Sequence, residues 1–510
     1  MYPRLQALST PDKPALIMAD SGTVVTYREL DDRSTQLARA WRRLGLGPGD
    51  HVALLSENHP NYLEVYWAAT RSGLHLTPIN RHLSVDEVAF IVEDCGAKSM
   101  IVSSILADTG ARVRELVPAC GHGLMFDVAA AGFESYEDAL ESESVEPLLD
   151  QPRGSLMCYS SGTTGKPKGV FQGLSGLQVD DESDRGRIGL FEDVFGMDDA
   201  TRYLSPAPLY HAAPLGYSSA VQALGGTVIV MERFEPVHAL QLLTDHQITH
   251  SQWVPTMFIR LLKLAASERH GFDLSNHRFA IHAAAPCPVE VKRRMIDWWG
   301  PILWEYYSGT EGNGITMIDS ERWLEHPGSV GIPVWGTLHI CGDDGAELPI
   351  GEPGSIYFER EGPQFRYHGD PTKTGSTRHP AHPTWTTIGD IGYLDADGYL
   401  YLTDRKSFMI IRGGVNIYPQ EVEDCLIMHD SVADVAVFGV PDPDLGESVH
   451  AVVQPAVGES PDDALAVELT RYALERIARY KVPATLEFTT ELPRTATGKL
   501  LKKQLQARYR

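Results

Sequence analysis

A chain of 510 residues exceeds what one compact core supports, so two or more domains are expected. With 43% hydrophobic and 22% charged residues the composition is that of an ordinary folded protein, which excludes a disordered chain. A formal net charge of −24 argues against duplex nucleic acid or an anionic membrane as partner, and an anionic ligand would need local lysines, helix N-termini or a divalent cation.

Six scattered cysteines (Cys95, Cys120, Cys158, Cys287, Cys341, Cys425) with no C-x-x-C read as buried free thiols in a reducing compartment. Met1-Tyr2-Pro3-Arg4 carries no secretory pattern, and no apolar run is long enough to span a bilayer. The expected location is the cytoplasm, with no transmembrane segment.

Residues 26–110 alternate helical and strand patterns: helices over 27–44, 62–72 and 85–93, and strands over 52–55, 75–79 and 99–103. Such repetition predicts parallel sheets covered by helices. The pattern resumes with strands over 224–231, 278–284 and 303–307 and helices over 236–246, 256–266 and 288–298. From 336 to 366 it changes to short strands with glycine turns, a smaller β-rich portion. Asp395-Ala396-Asp397-Gly398 turns a hairpin between 391–394 and 399–403. The chain then restarts: strand 408–411, helix 419–428, strands 434–440 and 449–454, helix 464–477 and a last amphipathic helix 500–508. We place a domain boundary at 404–407, giving domains 1–403 and 404–510, the second a small α+β unit.

The stretch that suggests chemistry first is Ser160-Ser161-Gly162-Thr163-Thr164-Gly165-Lys166-Pro167-Lys168-Gly169. Glycines let backbone N–H groups turn inward, and a concave set of N–H groups binds anions. The hydroxyls add donors, and Lys166 and Lys168 add charge. This is a polyphosphate cradle, but not a Walker A loop, because Pro167 follows Lys166 where Ser or Thr should stand. Four further stretches join it. Tyr307-Ser308-Gly309-Thr310-Glu311 follows a buried-looking strand, where Tyr307 can stack on a base and Glu311 is a hard oxygen ligand for Mg²⁺. Asp390, between Gly389 and Gly392, can accept both hydroxyls of a ribose. The Arg405 fork suits a phosphate or ribose edge. Lys499, on Thr497-Gly498, precedes a helix whose N-terminus disfavours positive charge, which suggests a functional role. Taken singly, Asp390 also fits an ordinary turn aspartate and Arg405 a surface ion pair.

In this order the stretches resemble the adenylate-forming enzyme superfamily: acyl- and aryl-CoA synthetases, luciferases of the firefly type and peptide-synthetase adenylation domains. The resemblance runs from Thr26-Tyr27-Arg28-Glu29-Leu30 to Lys499. It implies an α/β fold: a large N-terminal domain of stacked mixed sheets covered by helices plus a β-rich portion, and a small mobile α+β C-terminal domain hinged near Ser407. It further implies an ATP-dependent acid–thiol ligase: a carboxylate attacks the α-phosphate of Mg·ATP, giving acyl-AMP and pyrophosphate, and coenzyme A then takes the acyl group. By resemblance the 160–169 loop holds the β- and γ-phosphates, with Thr163 and Glu311 at Mg²⁺. Ala284, Ala285, Tyr307 and Ser308 to Thr310 surround the adenine, Asp390 takes the ribose and Arg405 lies near it. Lys499 bridges the carboxylate and the α-phosphate, and Gly413 and Gly414 line the pantetheine path.

Two departures from the pattern stand out. Ser407 occupies a hinge position that is usually Asp or Lys, and Ala283-Ala284 stand where relatives often carry two glycines. His211, in Leu209-Tyr210-His211-Ala212, stands where amino-acid-activating relatives carry aspartate, which suits an uncharged fatty, aromatic or steroid-side-chain acid. The sequence leaves the particular acid open, as it does assembly as a homodimer. Transfer to a carrier protein and a non-catalytic ATP- or acyl-binding relative remain alternatives.

Overall fold

The computed structural model describes residues 2–130, 132–160, 167–181, 183, 185–362, 364–405, 408–412, 415–494 and 500–509. The chain divides into two compact units, one of residues 1–253, 263–281 and 363–375, the other of 254–262, 282–362 and 376–510.

The first unit holds a six-stranded sheet in the spatial order Glu134–Ser135, His122–Met125, Ala97–Val102, His51–Leu55, His75–Ile79 and Ser155–Leu156, with every pair parallel. His75–Ile79 is buried at every position and His51–Leu55 at all but its first, as expected of parallel strands covered on both faces. The covering helices start where the sequence places caps: Thr26 with Glu29 opens Tyr27–Arg43, and Ser84 with Glu87 opens Val85–Asp94, each a reciprocal capping box. Val88, Ile91 and Val92 of the second helix pack with Met100, Val102 and Met157 in one core cluster. A second sheet runs Phe279–His282, His250–Trp253, Arg202–Ser205, Thr227–Val230, Pro14–Met18 and Val24–Thr26. A third, of three antiparallel strands, joins Cys158–Ser160, Lys168–Phe171 and Arg366–Tyr367.

The second unit contains the β-rich part, in the order Thr337–Cys341, Gly354–Glu359, Asp390–Leu394, Leu400–Arg405, Ser329–Trp335, Ile315–Asp319 and Leu303–Tyr307. Its C-terminal portion has a five-stranded sheet built on the hairpin Val432–Asp442/Gly446–Pro455, with Thr485–Phe488 added in parallel. Val422 and Leu426 of Pro419–Ile427 and Leu465 and Leu469 of Asp463–Leu474 pack on that sheet.

Three expectations need correction. The apolar run from Leu224 is not all strand: Leu224 ends a helix, Ala212–Leu224, the chain turns at Gly225 with φ +93°, and the strand is Thr227–Val230. The helix expected over 256–266 stops at Leu262, with a short separate turn at Ala266–Arg269. The last helix is only Lys502–Gln506. All six cysteines are free; four are buried, and Cys287 and Cys425 are half-buried. Among the described residues no helix is long and apolar enough to cross a membrane.

Candidate active site

In the second unit, the strand Leu303–Tyr307 delivers Tyr307 at its end, and the Tyr307 hydroxyl donates to Asp390 Oδ2 at 2.7 Å. Eighty-three residues separate the two in sequence. Asp390 opens the strand Asp390–Leu394 and is the register partner of Arg405 at the end of Leu400–Arg405, so three expected nucleotide-binding positions converge. Asp390 is only 8% exposed, and one of its carboxylate oxygens is oriented by a phenol that is itself half-buried.

Glu311 follows in the same loop and is buried at 8% exposure. A Cβ at Gly309 would lie 2.8 Å from Glu311 Oε2 and 2.8 Å from Ile388 Cδ1, so a side chain there would displace the ends of both. Ser308 Oγ donates to the Gly314 carbonyl at 2.8 Å, and Arg360 donates to the Gly312 carbonyl while its guanidinium lies 3.5 Å over the Trp335 ring. Thr310 is exposed. A buried carboxylate such as Glu311 suits Mg²⁺, which keeps several waters and takes few ligands from protein.

Behind this loop, Lys292 of the helix Val289–Trp299 donates to Glu305 Oε2 at 2.6 Å, with side-chain exposures of 0% and 6%. His282 Nε2 lies 3.7 Å from the same carboxylate oxygen. Burial pushes the Glu305 carboxyl up, while the Lys292 ammonium opposes that rise. His282 is held well below the usual histidine range, by burial and then by Lys292.

The turn after His282 carries Ala284, exposed, and Ala285, half-buried. Ala284 adopts φ +78°, one of three non-glycine residues with positive φ among those described. An L-residue in that region costs about 1–2 kcal/mol, and glycine there gives back part of that in unfolded-state entropy. Ala284→Gly is therefore expected to stabilise the protein by about 0.5–1 kcal/mol, read as a higher urea midpoint. A lower midpoint would contradict the strain.

In the first unit, Ser160 and Lys168 face each other across the antiparallel pair that brackets the glycine-rich loop. Tyr159 anchors the entry, its hydroxyl donating to Asp94 Oδ2 at 2.5 Å. Lys168 Nζ lies 3.0 Å from Asp370 Oδ2. His211 is the N-cap residue of Ala212–Leu224, half-buried, with its ring 4.5 Å from that of Tyr210. Ser161 to Lys166, Ser407, Gly413, Gly414 and Lys499 lie outside the described residues. Asp370 is the contributor that reading the sequence overlooked. Its Asp-Pro signature announces only a helix start, and its lysine partner is 202 residues away.

A lysine-bearing segment bracketed by paired strands in the first unit, and in the second the Tyr307–Asp390 hydrogen bond beside the Asp390–Arg405 strand pair, are arrangements expected of the adenylate-forming class. The AMP-binding enzyme family model matches residues 4–365, and the AMP-binding enzyme C-terminal domain model matches 421–499. The chain belongs to the AMP-binding enzyme family, and it is an AMP-forming acid–CoA ligase working through an acyl-adenylate. It is 34% identical to a feruloyl-CoA synthase of Amycolatopsis sp, over 100% of this chain and 98% of that protein. It is 30% identical to a long-chain-fatty-acid–CoA ligase of Mycobacterium tuberculosis, over 99% and 97%. The structure of o-succinylbenzoate CoA synthetase from Bacillus subtilis with its acyl-adenylate superposes with a TM-score of 0.82 at 28% identity, covering 99% of this chain and 97% of that one.

Proposed function

We propose that the acid this ligase activates is aromatic, that the Tyr307–Asp390–Arg405 cluster holds the adenosine, and that Glu311 and Thr163 hold Mg²⁺ on the triphosphate. The observation that carries the nucleotide assignment is the 2.7 Å hydrogen bond from Tyr307 to Asp390, which orients the carboxylate expected to take the ribose hydroxyls. The aromatic assignment rests on the feruloyl-CoA synthase relative and on His211 standing beside Tyr210 where an amine-binding aspartate would otherwise be. When bound, Mg²⁺ supplies charge neutralisation on the phosphates.

In this reading residues 1–403 bind ATP and acid, and 404–510 form a mobile domain turning near Ser407. That domain brings Lys499 for adenylation and Gly413-Gly414 for the thiol step. Free cysteines and the absence of a membrane-spanning helix among the described residues fit a cytoplasmic enzyme.

The test is CoA consumption across aromatic, medium-chain, long-chain and steroid-side-chain acids, alongside pyrophosphate exchange. Preference for long-chain acids would overturn the aromatic assignment. ATP binding without exchange on any acid would overturn catalysis. Tyr307→Phe removes one hydrogen bond, a net loss of about 0.5–1.5 kcal/mol, so KM for MgATP should rise about 2- to 12-fold with little change in KM for the acid. An unchanged KM for MgATP would remove Tyr307 from the nucleotide.

A further inference from the structure

Asp370 sits where the strand Arg366–Tyr367 leaves the three-stranded sheet that brackets the glycine-rich loop. The sheet grips the exit side of that loop through backbone pairing: Val170 pairs with Tyr367, Phe171 with Arg366, and the His368 N–H donates to the Gly169 carbonyl at 2.8 Å. The two oxygens of Asp370 have separate partners. Oδ1 accepts from the Lys373 N–H at 2.8 Å, closing the first turn of Pro371–Gly375, and Oδ2 takes the Lys168 ammonium at 3.0 Å. Thr374 Oγ1 donates to the Asp370 carbonyl at 2.8 Å and accepts from the Tyr367 N–H at 3.0 Å, so the carboxylate is mounted on a fixed turn. The Lys373 N–H and then Lys168 hold the Asp370 carboxyl below the usual carboxylate range. Lys168 Nζ also lies 6.0 Å from the centroid of the Tyr367 ring.

A lysine is a point charge on a four-carbon stem, and without a fixed partner its ammonium samples many positions. Here the stem lies along a strand opposite Ser160, and Asp370 fixes its tip. An ammonium has three N–H donors, so one bond to Asp370 leaves others for phosphate oxygens. We propose that Asp370 is a positioning residue for the ATP phosphates: it holds the Lys168 ammonium in the orientation in which its remaining N–H groups meet the β- and γ-phosphates. This proposal rests on the reading of the 160–169 loop as the phosphate site.

Two substitutions at Asp370 separate its charge from its cap. Asp370→Asn keeps a good N-cap and removes the anion; Asp370→Glu keeps the anion and loses the cap geometry. If Asp370 positions Lys168, Asp370→Asn raises KM for MgATP about 5-fold, with KM for the acid and the thermal midpoint unchanged, a shift corresponding to about 1 kcal/mol. Asp370→Glu then stays nearer the wild-type KM while lowering the midpoint. The reverse pattern, with the defect in Glu and none in Asn, assigns Asp370 to capping alone and overturns the proposal. Equal defects or none in both variants overturn it as well. Lys168→Gln distinguishes the premise: if it leaves KM for MgATP unchanged, the phosphate reading of the loop fails. If it raises that KM while Asp370→Asn does not, only the role of Asp370 fails.

Discussion

Lys499→Ala will slow acyl-adenylate formation about 10²- to 10³-fold while leaving transfer of the acyl group from supplied acyl-AMP to CoA largely intact. Both reactants of the first half-reaction are anions, and charge accumulates on the phosphoryl oxygens as the carboxylate approaches. A cation placed between them lowers the repulsion and aligns the pair for attack. The second half-reaction attacks an already neutralised acyl carbon with a thiol and has no such need. The residues flanking 495–499 are tied down: Arg494 and Leu500 form an antiparallel bridge, the Leu501 N–H donates to the Pro493 carbonyl at 2.8 Å, and Arg494 is bound to Asp434 through both Nε and Nη2. Measuring pyrophosphate exchange and thioester formation separately decides the matter. Equal loss in both would show that Lys499 serves the fold or both chemistries and would end the two-step assignment.

The elements were legible where a periodic run met unambiguous punctuation. His75–Ile79 and Leu303–Tyr307 match the residues expected, because apolar runs of strand length end at glycine or polar turns. Leu224 defeated the same logic. An uninterrupted apolar stretch does not distinguish the end of a buried helix from the start of a buried strand, and the chain breaks at Gly225. The strand Pro14–Met18 went unassigned because its parallel partner, Thr227–Val230, is more than two hundred residues away, and Val24–Thr26 is only the edge strand paired to it. The site followed the same rule. Residue types named Tyr307, Asp390 and Arg405 one at a time, but only the antiparallel pairing of Asp390 with Arg405 and the reach of the Tyr307 hydroxyl bring the three positions together. Asp370 was hidden by the 202 residues between it and Lys168, and the Lys292–Glu305 pair for a different reason. A charged residue in an amphipathic helix such as Val289–Trp299 reads as solvent-facing, and nothing local says that Lys292 is buried.

That buried pair carries a large expected stability effect. Lys292 is fully enclosed, with its ammonium 4.8 Å from the centroid of the Trp323 ring and 2.6 Å from Glu305. Lys292→Met fills the space with a similar apolar stem but leaves a carboxylate stranded in low dielectric, a loss of about 3–5 kcal/mol. Glu305 can relieve part of this by taking a proton. Its folded-state pKa already stands above the ordinary glutamate value because of burial, and removing the Lys292 ammonium raises it further. A carboxyl whose pKa is higher folded than unfolded stabilises the fold below its unfolded value and loses that contribution as pH rises through the folded one. The Lys292→Met defect should therefore be smaller near pH 5 than near pH 8, as measured by urea midpoints. The double variant Lys292→Met, Glu305→Leu removes both charges, and because replacing a buried ion pair by apolar groups is often neutral, it should recover most of the loss and its pH dependence. Glu305 lies two positions before Tyr307 on one strand, and Lys292 lies on the helix that follows the Ala284 turn. The single variant should consequently weaken MgATP binding as well, whereas the double variant should restore stability first and nucleotide affinity only as far as strand and helix return to register. If the single and double variants were equally destabilised and equally indifferent to pH, the pair would contribute through packing rather than charge, and the electrostatic account of this part of the site would fail.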